Sequence, residues 1–372
     1  MNTKKFCQIY IRGIKGFFVW ETTENIFVGS RVQVRLRNRK KIGIVINISS
    51  QKPAFVTQNI LEIWDEKFID AKYIEIAKEI SDETFCSLEK IISLMVPEKF
   101  FYNKNPEKRD IFLVLNPEKI NSDIAEIRGP KQKKTIQILK NNKGIISKNF
   151  LREQKIGLTT INTLIEKNFL IEKKDKLKAS PFFNQKNIFP KKQKIILTNE
   201  QSQAIKKILD SKTPILLFGV TGSGKTEVYK EVAKNFLFSL EGKKENYQML
   251  LLVPEIALTS QLINEFKLLF GDNIAIWHSN LSAGEKIQNF IKIKTGEAKI
   301  LIGARSAVLI PMKNPKLIIL DEEHEWTFKN EFLPKFWTHD VVKKISQKFE
   351  SKLIFGSATP RLESFLACKK TN

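Results

Sequence analysis

The sequence lacks the long apolar segments that a membrane protein needs. No uninterrupted apolar run among its 372 residues approaches the ~20 residues of a bilayer-spanning helix. The N-terminal stretch MNTKKFCQIYIRG has no apolar core of signal-peptide length, which predicts a cytoplasmic protein. The composition therefore excludes a membrane protein and predicts no membrane partner.

Cysteine is also scarce. The only three, Cys7, Cys86 and Cys368, are far apart in the sequence and form no Cys-x-x-Cys pair. Such spacing argues against a disulfide framework and offers no ligand set for a zinc site in this chain.

Acidic residues are too few to balance the basic ones. The chain has 40 Asp and Glu against 63 Lys and Arg, a formal net charge of +23, and the excess is spread along its whole length. Because polyanions release counterions when they bind such a surface, this charge favours a nucleic-acid partner. Lys-, Ile- and Asn-rich composition can also reflect the base composition of a genome, so the charge alone does not define a DNA groove.

The length allows two or three domains, and the first is predicted over residues 1–105. Apolar and polar residues alternate with period two in RVQVRL (31–36) and IGIVINI (42–48), on either side of the basic turn RNRKK. A helical stretch follows over 71–94 and ends before Pro97. This predicts a small, mainly-β domain with a charged hairpin.

Residues 106–180 are more polar and rich in lysine, with three short apolar stripes, the second at Ile145 and Ile146. The stripes predict three short helices before a strand pair around 168–174, which is the outline of a winged-helix module. Its third helix, 159–166, could bind nucleic acid, or the module could serve only as a protein contact. Residues 181–196 are predicted to be a linker.

Residues 197–372 alternate strands with helices. The short apolar runs PILLFG, MLLLVP, KILIGA, KLIILD and KLIFGS are each followed by polar residues. Continuous apolar strands separated by helices predict an α/β domain with a parallel sheet covered on both faces. Loops that carry chemistry should then lie at the carboxyl ends of the strands.

The first such loop is GVTGSGKT, residues 219–226, which follows a predicted strand and opens a helix. This G-x-x-x-x-G-K-[ST] pattern predicts a phosphate-binding P-loop. Its glycines let backbone N–H groups converge on phosphate oxygens, Lys225 reaches the terminal phosphates, and Thr226 offers a hydroxyl to Mg²⁺.

The second loop is DEEH, residues 321–324, directly after the strand KLIIL. On the same sheet as a P-loop, Asp321 can hold the Mg²⁺ that bridges nucleotide phosphates, and Glu322 can orient or deprotonate the attacking water. His324 is suited to relay the state of the γ-phosphate, because an imidazole can hydrogen-bond in either direction. Together the two loops predict a nucleotide hydrolase.

Four further segments narrow the class: LTNEQSQAI (197–205), VPEIALTSQ (253–261), IGARSAVLIP (302–311) and GSATP (356–360). In this order, with the P-loop and DEEH, they resemble the first lobe of a superfamily 2 helicase. GVTGSGKTEVY, LVPEIALT, IGARSA, DEEH and GSATP more closely resemble the primosomal protein N′ family of replication-restart helicases. Upstream, RVQVRL, NRKKIGIV and residues 73–97 resemble that family's 3′-end-binding domain.

The resemblance implies a RecA-like parallel-sheet helicase lobe over 197–372, preceded by a small, mainly-β DNA-binding domain and a winged-helix module. The implied activity is an ATP-dependent 3′→5′ DNA helicase of replication restart that uses Mg²⁺ and binds branched or stalled forks. Implied partners are forked or single-stranded DNA, single-strand-binding protein and primosome components.

The resemblance also assigns residue roles. Gln201 would read adenine, and Ser357 and Thr359 would link the nucleotide state to DNA. The triphosphate would be bound by Gly219, Gly222, Ser223, Gly224, Lys225 and Thr226, with Thr226 and Asp321 holding the metal. Hydrolysis would depend on Lys225, Asp321, Glu322 and His324.

The stretch EWTFKNEFLPKFWTHD, residues 325–340, resembles the family's aromatic-rich loop, which couples single-stranded DNA to ATP hydrolysis. The implied DNA-coupling residues are Trp326, Phe328, Lys329, Phe332, Lys335, Phe336 and Trp337. Base stacking on such side chains is worth ~1–3 kcal/mol per base and tolerates any sequence. The alternative, a hydrophobic cluster packed under the sheet, accounts for about two of the five aromatics.

The sequence departs from the family pattern in three places. Where the family has Phe-Asp-Tyr in its 3′-hydroxyl pocket, this chain reads Phe18-Val19-Trp20, without the carboxylate that would accept the hydroxyl proton. Two loop positions that are usually arginine read Lys335 and His339, which weakens a bidentate phosphate grip. The zinc element and second helicase lobe of the family do not follow in these residues.

We therefore expect the chain alone to bind ATP and hydrolyse it weakly, since the second lobe normally supplies an arginine finger worth ~10³–10⁵ in rate. An alternative is a non-catalytic fragment that binds forks and recruits partners. A superfamily 2 translocase that acts on RNA or on double-stranded DNA is a third possibility.

Overall fold

A computed structural model describes residues 4–106, 110–116, 119, 127, 129–141, 145–147, 151, 156–175, 197–211, 214–238 and 247–369. The chain forms two compact units, one made of residues 1–106 and 196–372 and the other of residues 107–195. The predicted linker over 181–196 lies outside the described residues.

The first unit opens with a six-stranded sheet in the order β5-β2-β1-β4-β3-β6. Its strands are β1 (Lys5–Ile11), β2 (Phe17–Thr22), β3 (Arg31–Leu36), β4 (Arg39–Ser49), β5 (Gln58–Asn59) and β6 (Glu62–Asp65). All pairs are antiparallel except β2 with β5. The alternation in β3 buries Val32 and Val34, as the period-two pattern predicts. The basic turn between β3 and β4 is tight, with positive φ at Arg37 and Asn38.

The helical stretch predicted over 71–94 is two helices, α1 (Ala71–Thr84) and α2 (Leu88–Met95). The prediction of one helix was wrong because Phe85 adopts left-handed backbone with φ 50°, which ends α1. The side chain of Ser81 stabilises this ending by donating a 2.7 Å hydrogen bond to the carbonyl of Cys86. A 3₁₀ turn over Glu98–Phe101 follows α2.

The second unit contains a three-stranded antiparallel sheet in the order β8-β7-β9. Its described elements are β7 (Asp110–Leu115), α3 (Pro130–Asn141), β8 (Ile145–Ser147), α4 (Leu158–Glu166) and β9 (Leu170–Asp175). The segment Ile145–Ser147 is a strand rather than the predicted helix, and β9 pairs with the distant β7 rather than with an adjacent strand. A buried apolar core that includes Leu139, Leu164 and Leu170 joins helices and sheet.

The chain then forms a six-stranded, wholly parallel sheet in the order β10-β15-β14-β11-β13-β12. Its strands are β10 (Ile215–Phe218), β11 (Gln248–Leu252), β12 (Ile274–Trp277), β13 (Ile300–Gly303), β14 (Pro315–Leu320) and β15 (Lys352–Ser357). Five of them were predicted, and the short β12 was missed. The predicted α/β domain with a parallel sheet is thus confirmed.

Helices cover both faces of this sheet, and alternate strand residues face opposite sides. Leu317 and Ile319 of β14 belong to one buried core, while Ile318 and Leu320 belong to the other. The first core includes α5 (Asn199–Asp210), α6 (Lys225–Phe238) and α7 (Ser260–Phe270). The second includes α8 (Ala283–Thr295) and α9 (Thr338–Phe349), and the short helix α10 (Leu362–Lys369) follows β15.

The N-terminal domain shares that second core. The ring of Phe290 on α8 lies with its centroid 5.9 Å from that of Phe68 and 4.9 Å from that of Phe100. The ring of Tyr73 on α1 lies 5.0 Å from that of Phe349 on α9. One continuous apolar core therefore joins the N-terminal domain to the helicase lobe.

Ion pairs border this shared core. Lys344 on α9 contacts Glu79 and Glu83 of α1 at 3.3 and 2.6 Å. Lys348, one turn later, contacts Glu75 and Glu79 at 3.0 and 2.8 Å. Each lysine is held between two carboxylates, so α1 and α9 are fixed in register. Within the described ranges, no helix is both long enough and apolar enough to cross a bilayer.

Candidate nucleotide site and DNA-coupling loop

The P-loop lies between β10 and α6, at the carboxyl end of the parallel sheet. Gly222 and Gly224 both have φ of +81°, the left-handed region that glycine adopts without strain. Nζ of Lys225 folds back over the loop and donates a 2.9 Å hydrogen bond to the carbonyl of Gly219. The loop is thus closed around its own lysine, in the form expected of a phosphate cradle.

Gln201, the predicted adenine reader, lies directly against this loop. Its backbone N–H and side-chain oxygen form a capping box with Thr198 at the start of α5. Its side-chain nitrogen then donates a 3.0 Å hydrogen bond to the carbonyl of Ser223. A Cβ added at Gly224 would lie 2.3 Å from that nitrogen, so only glycine leaves room for the contact.

Asp321 directly follows β14 and contacts Tyr229 of α6. Its carboxylate oxygen Oδ1 accepts a 2.7 Å hydrogen bond from the phenol of Tyr229. Burial raises the pKa of Asp321, and this hydrogen bond partly offsets the rise. Burial and the nearby carboxylate raise the pKa of Tyr229 well above its usual range, so the phenol stays protonated and can donate.

Because Gly356 has no side chain, the elements around Asp321 can pack closely against β15. A Cβ built at this position would lie 1.7 Å from the phenol oxygen of Tyr229 and 3.0 Å from Oδ1 of Asp321. The backbone N–H of Gly219 donates to the carbonyl of the following Ser357. The glycine of GSATP therefore lets β15 pass between the P-loop and the DEEH segment.

Glu322 faces the P-loop. Its Oε1 lies 3.3 Å from Nζ of Lys225, and both side chains are largely shielded from solvent. Its backbone has φ of +46°, a left-handed conformation that is strained for a residue with a side chain. The predicted hydrolytic carboxylate is thus ion-paired with the predicted phosphate-binding lysine.

His324 contacts the GSATP segment. Its Nδ1 lies 2.8 Å from the hydroxyl oxygen of Ser357, which also accepts a hydrogen bond of 3.1 Å from the backbone N–H of Thr359. The structure therefore brings together the P-loop, DEEH and GSATP residues named from the sequence.

Glu323, which had no predicted role, is fully buried. Its carboxylate accepts hydrogen bonds from Nε2 of His339 at 3.0 Å, the backbone N–H of Arg361 at 2.7 Å and the hydroxyl of Ser364 at 2.7 Å. Burial alone would raise the pKa of Glu323, but these donors outweigh it and the pKa is lowered. A carboxylate so bonded is charged and fixed in place.

The aromatic-rich loop divides into exposed and buried rings. Trp326 and Phe332 are 60% and 79% exposed, whereas Phe328 is fully buried and Phe336 nearly so. The exposed rings are open to solvent, while the buried rings pack in the core shared with β14 and α9. Two of the predicted DNA-coupling residues, Phe328 and Phe336, are therefore buried.

Two cations lie near the ring of Trp337, the last of the five predicted DNA-coupling aromatics. The guanidinium carbon of Arg361 is 4.2 Å from the ring centroid of Trp337, and Nζ of Lys329 is 5.6 Å from it. Lys329 also lies 4.5 Å from the ring centroid of Trp326, which meets Trp337 edge-on at 5.0 Å. The two tryptophans therefore form one cation-supported pair.

A groove of about 240 Å³ lies beside this pair. It is lined by Pro254 and Glu255 of VPEIALTSQ, Arg305 of IGARSA, and loop residues that include Trp326 and Phe332. Arg305 donates hydrogen bonds to the carbonyls of Thr327 and Lys329, which fixes the loop against the lobe. VPEIALTSQ, IGARSA and the aromatic-rich loop thus form one concave surface.

The other positions that depart from the family pattern have defined environments. Trp20 is buried in the N-terminal sheet, and its indole nitrogen donates to the carbonyl of Arg35. Val19 points to the opposite face of β2, because adjacent strand residues alternate. His339 is buried against Glu323, and Lys335 is exposed. Trp20 is therefore a core residue of this domain.

The chemistry of the site suits a nucleotide bound with Mg²⁺. Asp321 provides a partly buried carboxylate, and Thr226 lies in the first turn of α6 beside the glycine cradle. Hard oxygen donors of this kind are the ligands that Mg²⁺ prefers, with the remaining positions taken by phosphate and water. In the described part of the chain, no group of three or more His, Cys, Asp or Glu side chains is placed to hold a metal by itself.

Sequence reasoning missed Tyr229, Glu323 and Arg361. Tyr229 stands in GKTEVY and Glu323 in DEEH, both within quoted motifs, yet neither carried a role. Their partners come from distant elements, so spacing along the chain gave no signal for the contacts.

Two domain families match the chain. Residues 198–366 match the DEAD/DEAH box helicase family, and residues 15–97 match the PriA 3′DNA-binding domain (3′BD). Among solved structures, a DEAD box protein from the hyperthermophile Methanococcus jannaschii superposes with a TM-score of 0.34 and 20% identity, covering 46% of each chain.

Curated relatives match much of the chain. Replication restart protein PriA of Bacillus subtilis is 41% identical over 216 residues, covering 57% of this chain and 26% of that protein. Replication restart protein PriA of Chlamydia trachomatis is 32% identical over 362 residues, covering 91% of this chain and 46% of that protein. The chain thus spans less than half the length of these two relatives. With a 3′DNA-binding domain followed by a DEAD/DEAH box helicase domain, and relatives that match over nine-tenths of its length, the chain belongs to the PriA family of replication restart proteins.

Proposed function

We propose that this chain supplies the fork-binding and nucleotide-binding part of an ATP-dependent 3′→5′ DNA helicase of replication restart. The observation that carries the proposal is the convergence of Lys225, Glu322 and Asp321 at the carboxyl edge of one parallel sheet, with Gln201 against the P-loop. P-loop and acidic residues in this arrangement serve phosphoryl transfer from nucleoside triphosphates.

The ion pair between Lys225 and Glu322 supports a specific order of events. In the nucleotide-free arrangement, Glu322 neutralises Lys225 at 3.3 Å and the carbonyl of Gly219 orients it. A triphosphate in the cradle would take over the lysine, because its negative charge exceeds that of one carboxylate. Glu322 would then be released to accept a proton from the attacking water.

Thr226 and Asp321 would hold a Mg²⁺ ion that enters with the nucleotide. When bound, the ion would neutralise charge on the phosphate oxygens. Gln201 would recognise the adenine, and His324 with Ser357 and Thr359 would link the nucleotide state to the DNA-binding surface, as predicted from the sequence. The hydrogen bond between His324 and Ser357 supports this role.

DNA would bind at two places. Residues 1–105 would recognise branched DNA without the carboxylate that is usual for 3′-end recognition, because Val19 stands in its place. The groove beside Trp326 and Phe332 would take single-stranded DNA through stacking and the cation Lys329. The module over 106–180 would contribute a further contact. We also propose single-strand-binding protein and primosome components as partners, and the cytoplasm, where chromosomal forks form, as the site of action.

These residues alone should hydrolyse ATP slowly. An arginine finger contributes ~10³–10⁵ in rate, and superfamily 2 motors normally take it from the second lobe. The lobe described here would therefore bind ATP well, and its hydrolysis would depend on residues beyond it.

The test is nucleotide binding and ATPase rate, each measured with and without forked DNA. We expect Lys225→Ala to abolish nucleotide binding and Glu322→Gln to keep binding but lose residual hydrolysis. Lys234→Ala, an exposed lysine on the same helix α6, is the matched control and should behave like wild type. Equally tight fork binding by wild type and Lys225→Ala, with no nucleotide bound by either, would instead favour a non-catalytic fork-binding protein.

A further inference from the structure

The buried carboxylate of Glu323 lies between the nucleotide site and the aromatic-rich loop. It is adjacent in the chain to Glu322, which pairs with Lys225, and its own partners His339 and Arg361 belong to the loop side. A fully buried charge is costly unless every donor around it is in place. The position of Glu323 is therefore sensitive to movement of either partner.

Hydrogen-bond contacts join His339 to both Glu323 and Arg361. Its Nε2 faces two acceptors, the carboxylate and the carbonyl of Glu323, and donates to them. Its Nδ1 lies 3.4 Å from a guanidinium nitrogen of Arg361. His339 is thus a bridge from Arg361 to Glu323.

Arg361 joins the loop to Glu323 in a second way. Its backbone N–H donates 2.7 Å to the carboxylate of Glu323, while its guanidinium covers the ring of Trp337 at 4.2 Å. Trp337 in turn meets the exposed ring of Trp326 at 5.0 Å. A base that stacks on Trp326 would shift this ring pair and, with it, the cation of Arg361.

The strained backbone of Glu322 makes the direction of its side chain depend on the contacts of Glu323. Its φ of +46° is held only by surrounding contacts, since left-handed backbone is strained for a residue with a Cβ. The contacts of Glu323 are the nearest of these, together with its backbone N–H, which donates to the carbonyl of Gly356. A shift at Glu323 would therefore change the direction in which Glu322 points.

We propose that Glu323 and Arg361 are positioning residues that transmit DNA contact at Trp326 and Trp337 to Glu322 and Lys225 in the nucleotide site. The inference rests on the proposed function and names the path by which its two halves communicate. In this path Arg361, from the segment after GSATP, provides the guanidinium, and His339 provides the bridge to Glu323.

The experiment measures the affinity of the full chain for a fluorescent non-hydrolysable ATP analogue, with and without saturating oligo(dT). The ratio of the two dissociation constants is the coupling factor, which for allosteric proteins is typically about 5–150-fold. We expect a wild-type ratio of about fivefold or more. Arg361→Ala keeps the backbone N–H but removes the cation, and Glu323→Gln keeps the shape but removes the charge; both should bring the ratio within about twofold of one.

A conservative variant of Arg361 tests whether this residue positions the path or only stabilises the fold. Arg361→Lys keeps a cation over Trp337 and should retain a ratio clearly above that of Arg361→Ala. Glu363→Gln is the matched control, because Glu363 contacts the same guanidinium at 3.4 Å from the exposed side and should leave the ratio at its wild-type value. Melting curves check that each variant is folded; should Glu323→Gln unfold, the two Arg361 variants still decide the matter.

The outcomes are distinct. Unchanged coupling in both Arg361→Ala and Glu323→Gln would overturn the inference, as would a wild type that binds the analogue with a ratio of one; in both cases the proposed nucleotide site would stand. Failure of the wild type to bind the analogue at all would overturn the proposed function, and the inference with it.

Discussion

The phenol of Tyr229 donates a 2.7 Å hydrogen bond to the carboxylate of Asp321, across the sheet edge where the nucleotide site lies. This bond opposes the effect of burial, which raises the pKa of Asp321. In Tyr229→Phe the pKa should rise further, so the carboxylate becomes protonated at a higher pH. When the pH is lowered from 8 to 5, the variant should therefore lose its affinity for Mg²⁺-nucleotide at a higher pH than wild type does. Identical pH profiles for the two proteins would contradict this role.

Asp321 should also cost stability in the absence of nucleotide. Because its pKa is raised in the folded state, the penalty for the charged form is present above the folded pKa and disappears as pH falls through it. Asp321→Asn should therefore increase the free energy of unfolding at pH 7 by roughly 0.5–2 kcal/mol, a common gain when function and stability compete. The gain should shrink toward acidic pH. Denaturant titrations at pH 7 and pH 4 measure it, and a loss of stability at pH 7 would disprove the prediction.

Gly224 should tolerate no side chain. Gly224→Ala adds a Cβ 2.3 Å from the side-chain nitrogen of Gln201, besides straining a backbone with φ of +81°. We expect a loss of about 1–3 kcal/mol in unfolding free energy and loss of nucleotide binding, since Gln201 and the loop must move apart. Gly271→Ala is the control, because φ is +60° there and nothing lies within 4 Å of the added Cβ. Equal effects of the two substitutions on nucleotide binding would count against a close fit at Gln201.

Phe290 should hold the N-terminal domain to the helicase lobe. Its fully buried ring contacts Phe68 and Phe100, so Phe290→Ala should cost about 3–5 kcal/mol of unfolding free energy. We expect proteolysis to release the N-terminal domain from this variant earlier than from wild type. Phe365→Ala, at a half-exposed ring on α10, should cost far less. Comparable losses at the two positions would argue against a shared core.

The exposed and buried rings of the aromatic-rich loop should respond differently to substitution. Trp326→Ala and Phe332→Ala should each weaken binding of oligo(dT) by about 1–3 kcal/mol with little change in melting temperature. Phe328→Ala should mainly lower stability, by about 3–5 kcal/mol, because its ring is fully buried. Fluorescence anisotropy and thermal melts provide the two measurements. DNA affinity that is insensitive to Trp326 and Phe332 would remove the loop from the proposed interface.

The sequence predicted those features that depend on local pattern. Continuous apolar runs identified five of the six parallel strands, and the P-loop and DEEH followed from residue chemistry at the strand ends. Shorter patterns did not predict the structure. The two-residue apolar stripe at Ile145 and Ile146 is compatible with either a strand or a helix. Nothing in the sequence around Phe85 indicates the left-handed turn that ends α1.

Contacts between distant elements could not be predicted from the sequence, for a different reason. Glu323 depends on His339, Arg361 and Ser364, which converge only after β14, α9 and β15 have packed. Likewise, the burial of Phe328 and Phe336 is decided by the core beneath the loop rather than by the loop's own composition. Aromatic content predicted the loop, but not which rings face the solvent.

The shared core has a consequence for synthesis of the chain on the ribosome. The apolar face of α1 and α2 packs on α8 and α9, which are encoded some 200 residues later, and the second compact unit is made in between. At a translation rate of about 5–20 residues per second, that face would wait roughly 10–50 s for its partner. Until α8 and α9 are made, this face lacks the core partners that it has in the folded chain, and such exposed apolar surface makes an incomplete chain prone to aggregate.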